Sequence, residues 1–78
     1  MNADNLIHMA NQIGEFFESM PEREEALDDI ATHIRKFWEP RMRRTLLAAL
    51  DTDEAQGMRD IVRAALRKHR ADLQPATQ

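Results

Sequence analysis

Apolar side chains recur along this chain every three or four positions, the spacing that gathers them on one side of an α-helix. Between Leu6 and Met20 they fall at Leu6, Met9, Ala10, Ile13, Phe16, Phe17 and Met20. That stripe predicts a first helix, with Asn2 or Asp4 accepting backbone N–H bonds at its start. Pro21 suits a first helical position, and the acids Glu22, Glu24 and Glu25 behind it complement the positive end of a helix dipole, so a second helix is expected from there. Its stripe is Leu27, Ile30, Ala31, Ile34, Phe37 and Trp38. Pro40 lacks a donor and disfavours helical geometry at Glu39, which places a break near Trp38 to Glu39. A short third helix follows over Arg41 to Leu50, with Met42, Leu46, Leu47, Ala49 and Leu50 toward the core. Asp51 or Thr52 then caps a last helix carrying Ala55, Met58, Ile61, Val62, Ala65, Leu66 and His69, with Gly57 weakening its first turn.

No β-type alternation, repeat or low-complexity tract interrupts this pattern. It describes an all-α protein, a small antiparallel bundle of three to four helices broken near Pro40, because short polar connections favour antiparallel neighbours. Residues 1–73 are expected to form a single helical domain, and residues 74–78 a flexible C-terminal tail with little to bury.

Composition narrows the function. A chain of 78 residues buries only roughly 60% of its unfolded surface, so its core gains from coverage by a partner. The sequence has no Cys, which removes disulfides and thiolate metal sites. His8, His33 and His69 stand on separate predicted helices without ligand spacing, so no metal is expected. The start, Met1 to Ile7, has no positive charge and does not look like a secretory signal. No apolar run approaches the roughly 20 residues of a membrane span. The chain therefore reads as cytoplasmic, with no membrane association. Its formal net charge is −3, which offers no overall attraction to nucleic acid. The charge is unevenly placed: residues 1–34 hold eight acids and one base, residues 35–50 five bases and one acid, and residues 51–78 five of each.

The basic middle segment is the densest chemistry: His33, Phe37, Trp38, Pro40, Arg41, Met42 and Arg43 lie there with Arg35, Lys36 and Arg44. Aromatic residues, Met and Arg are enriched at interface centres. Phe37 and Met42 read first as core residues, since apolar positions at helical spacing usually pack inward. Trp38 with Arg41 and Arg43 reads equally as core or as interface. If Trp38 is an interface anchor, truncating it costs about 2 kcal/mol of binding. The same cations around a helix break also suggest a small nucleic-acid-binding regulatory module using residues 35–44, though the neighbouring acidic helix repels phosphate. Carboxylate pairs such as Glu24 with Asp28 are explained by a solvated helix start. Gly14 and Gly57 form no phosphate-cradling loop. No catalytic residue and no bound cofactor is expected.

Two segments together resemble a known family. Leu6-Ile7-His8-Met9-Ala10-Asn11-Gln12-Ile13 with Phe16-Phe17, and His33-Ile34-Arg35-Lys36-Phe37-Trp38-Glu39-Pro40-Arg41-Met42-Arg43, are similar to the delta subunit of NAD-dependent, molybdenum-containing formate dehydrogenases. The likeness covers roughly residues 5–50, and its Phe-Trp-acid-Pro-Arg-Met-Arg element is its most distinctive part.

The resemblance implies a non-catalytic accessory subunit of a cytoplasmic enzyme that oxidises formate and passes electrons to NAD. The molybdenum centre, clusters and flavin of such enzymes sit on large subunits. It further implies docking on the large molybdenum-bearing subunit, in assembly, stabilisation or cofactor loading, with His33, Phe37, Trp38, Pro40, Arg41, Met42 and Arg43 as the matching motif. Direct handling of the molybdenum cofactor by Arg41, Arg43 and Arg44 is a further expectation to weigh. An isolated chain with an uncovered Phe and Met stripe would be prone to form a homodimer.

Overall fold

Each amphipathic stretch becomes helical in the structure, a computed structural model that describes residues 2–76. Helix α1 spans Ala3–Phe17, and the side chain of Asn2 accepts from the Asp4 N–H at 2.8 Å. Helix α2 spans Arg23–Phe37. It starts two residues later than Pro21 suggested, because Glu18 to Glu22 are used to redirect the chain and Glu22 supplies the first carbonyl, to Ala26 at 3.0 Å. Trp38 leaves α2 in an extended conformation (φ −94°, ψ 135°) and Glu39 follows (φ −64°, ψ 154°). Pro40 then opens α3, Pro40–Leu50. The expected break is thus complete: proline's ring holds Glu39 extended and its own φ fits a first helical residue.

The expected last helix divides into three pieces. A 3-10 helix, Asp53–Gly57, is capped by Thr52, whose hydroxyl accepts from the Glu54 N–H at 3.1 Å. Helix α4 is Asp60–Lys68, and the single turn α5 is Arg70–Leu73. Gly57 therefore closes the 3-10 helix and does not weaken a longer one. Two side chains hold the extended link at Met58 and Arg59. Asn11 of α1 donates to the Gly57 carbonyl at 2.8 Å and accepts from the Arg59 N–H at 2.9 Å. Arg63 donates to the carbonyls of Ala55 at 2.9 Å and Met58 at 2.7 Å. Such side-chain partners satisfy backbone groups that a continuous helix would have satisfied itself.

The core is one cluster drawn from all five α-helices, with Trp38 and Met58 from the links between elements. Helix α2 packs most extensively on α4, and α1 contacts α2, α3 and α4. Ala10, Ile30, Ile34, Val62 and Ala65 are fully buried at its centre. The radius of gyration, 11.4 Å, matches the about 11.5 Å expected for a close-packed chain of this length. The C-terminal turn belongs to this body: Leu73 is in the core and Pro75 is buried as well. The predicted flexible tail thus has something to bury at Pro75, while its last residues, 77 and 78, lie outside the described residues. No described helix is long and apolar enough to cross a membrane.

Ion pairs join α2 to the end of α4. Lys68 reaches Glu24 at 2.7 Å and Asp28 at 2.9 Å, and His69 Nε2 lies 2.7 Å from the same Asp28. The Lys68 ammonium foremost, with His69 second, holds the Asp28 carboxyl below the usual carboxylate range, and Arg70 does the same to Asp51. A carboxylate with a lowered pKa in the folded state adds stability above its unfolded value and gives it up as pH falls through the folded one. Thermal stability is accordingly expected to fall as pH drops below about 4. Asp28→Asn should flatten that acid limb, and circular-dichroism melts across an acid series check it. An acid limb of equal steepness in the variant would show that Asp28 has no part in it.

Candidate partner-docking surface

Helix α1 carries more apolar surface than the core covers. At about 100° per residue, Leu6, Ile7, Ala10 and Gly14 fill one arc, and these are buried. Met9, Ile13 and Phe16 continue the arc to the side. There the exposures are 39% for Met9 and 74% for Phe16. Helix α2 also outruns its packing partners: Phe37, its last residue, follows the buried direction of Ala26 and Ile30 yet is 71% exposed.

Between these edges lies a groove of about 480 Å³. Its α1 wall is Met9, Gln12, Ile13, Phe16 and Phe17, and its α2 side is His33 and Trp38. Phe16 and Phe17 meet edge to face with ring centroids 5.0 Å apart. The His33 and Phe37 rings lie 4.9 Å apart, one turn from each other on α2. Gln12 and His33 are the two residues with polar side chains in this lining.

The motif expected from sequence is divided by this geometry. His33 and Trp38 line the groove, and Phe37 meets it only through its ring contact with His33. Trp38, however, is only 6% exposed and belongs to the core, forming part of the groove's lining with its body packed inward. Met42 is partly buried against the same core. Arg43 does not stand free beside Trp38: its guanidinium donates to the carbonyls of Leu73 at 3.0 Å, Trp38 at 3.1 Å and Arg35 at 3.2 Å. The break at Pro40 creates this arrangement, since it leaves the last carbonyls of α2 without helical partners just where α3 begins. Pro40 and Arg41 remain on the surface. Phe37, assigned first to the core, is exposed, whereas Trp38 and Arg43 are the residues that hold the corner together.

Arg43→Met keeps much of the aliphatic contact and removes all three hydrogen bonds. It is expected to destabilise the fold on the order of 1 kcal/mol and to loosen α5, read as faster amide exchange at Leu73 and Gln74. Unchanged exchange there would show that the guanidinium is not the tie between the corner and the C-terminal turn.

Arg35, Lys36, Arg41 and Arg44 are exposed and, among the described residues, have no acidic group within 4.0 Å. By contrast, Arg59, Arg63, Lys68 and Arg70 all have acidic partners. Among the described residues no group of three or more His, Asp and Glu is placed to hold a metal ion. Met9 and Phe16 line the groove as well; they stand in the first segment of the resemblance and on the apolar stripe of the first helix, but not among the partner-binding residues expected from the motif.

Fold and surface together define a small all-helical protein that leaves one aromatic-edged groove uncovered next to a cationic corner. The chain belongs to the family described as NADH-dependent formate dehydrogenase delta subunit FdsD, whose family model matches residues 5–77. The match runs well past the segments that carried the resemblance in sequence, through the 3-10 helix, α4 and α5. No curated protein and no solved structure matches the chain.

Proposed function

We propose that this delta subunit is a non-catalytic accessory component that docks on the large molybdenum-bearing subunit of a cytoplasmic formate dehydrogenase and supports its assembly, stabilisation or cofactor loading. The observation that carries this reading is the α1–α2 groove, lined by an exposed Phe16, with the exposed Phe37 ring packed on His33 at its α2 side. Exposed aromatic area of this kind is costly to leave in water and is recovered when another protein covers it. The chain has no Cys to ligate a cluster, and its ion pairs are exposed structural ones, so its contribution to the enzyme is mechanical. His33 lines the groove with Phe37 packed on it, and Pro40 and Arg41 are exposed on the segment that follows Trp38. Trp38, Met42 and Arg43 act from behind this surface, by fixing the corner that carries them.

The test is coexpression of the enzyme's subunits with and without this chain. Molybdenum content, subunit composition and formate-dependent NAD reduction are then measured. Omission is expected to lower molybdenum content or the yield of assembled complex and activity in proportion. A complex of full composition, metal content and activity without the chain would overturn the accessory role.

A further inference from the structure

We draw no further inference here: the strongest candidate, the apolar groove between α1 and α2 lined by Met9, Ile13, Phe16, Phe17 and Trp38, carries nothing beyond the docking role already proposed, because nothing in the structure shows what covers it.

Discussion

Trp38→Ala is expected to remove about 3 to 5 kcal/mol of folding stability. Trp38 is the largest side chain in the core and sits where the chain is neither α2 nor α3. It therefore fills the wedge between the end of one helix and the beginning of the next. Removing the indole opens that wedge into the neighbouring groove, so water enters in its place and the surrounding side chains lose contact. A chain of 78 residues has a total stability of roughly 4 to 12 kcal/mol, of which this is a large share. The midpoint of thermal unfolding should drop by about 15 °C or more, whereas Phe37→Ser, on the adjacent residue, should move it by only a few degrees. A melt in which Trp38→Ala falls less than Phe37→Ser would exchange the roles assigned to the two aromatics.

That pair shows where sequence reading succeeds and where it stops. Periodicity identifies which positions are apolar and helical, and the break at Pro40 follows from local sterics that act within two residues. All-α architecture was therefore legible, as were the buried members Leu27, Ile30, Ala31, Ile34, Leu46, Leu47, Ile61, Val62, Ala65 and Leu66. Which apolar residue at a helix end is covered depends instead on the length of whatever packs opposite. Phe37 and Trp38 share one stripe in sequence. Only the turn at Trp38 sends one into the core and leaves the other outside.

The division of the last helix was beyond reach for a similar reason. Nothing between Thr52 and His69 forbids a helix locally. The extended link at Met58 and Arg59 is held by Asn11, almost fifty positions earlier, and by Arg63 reaching back to two carbonyls. A polar residue in the middle of α1 gives no sequence signal that it will bind backbone on another element. The same holds for Arg43, which sequence placed among the interface residues but whose guanidinium is spent on three carbonyls. Isolated basic residues in a small helical chain are thus poor guides to interfaces until the backbone groups left open by helix ends have been accounted for.

The second large effect is expected at Gly14, in the last turn of α1, where it meets α4. A Cβ there would lie 2.6 Å from Val62 Cγ2 and 3.2 Å from Ile61 Cγ2. Neither neighbour has an easy way to withdraw, since β-branched residues in a helix hold one χ1 rotamer and both are buried in the core. Helix propensity alone favours Ala over Gly by about 1 kcal/mol. Overpacking opposes it by about 1 to 3 kcal/mol, and at 2.6 Å the clash prevails because relief requires moving α1 as a body. Gly14→Ala is therefore expected to destabilise by about 1 to 2 kcal/mol, and Gly14→Leu by about 3 kcal/mol or more. Shifting α1 also displaces Asn11, three residues earlier, from Gly57 and Arg59, which adds to the loss. The cause is separable by a double-mutant cycle: Val62→Ala alone destabilises by creating space, but combined with Gly14→Ala it should recover a substantial part of the summed cost. Strict additivity in chemical-denaturation free energies would mean that Gly14 is needed for something other than the close approach of α1 to α4.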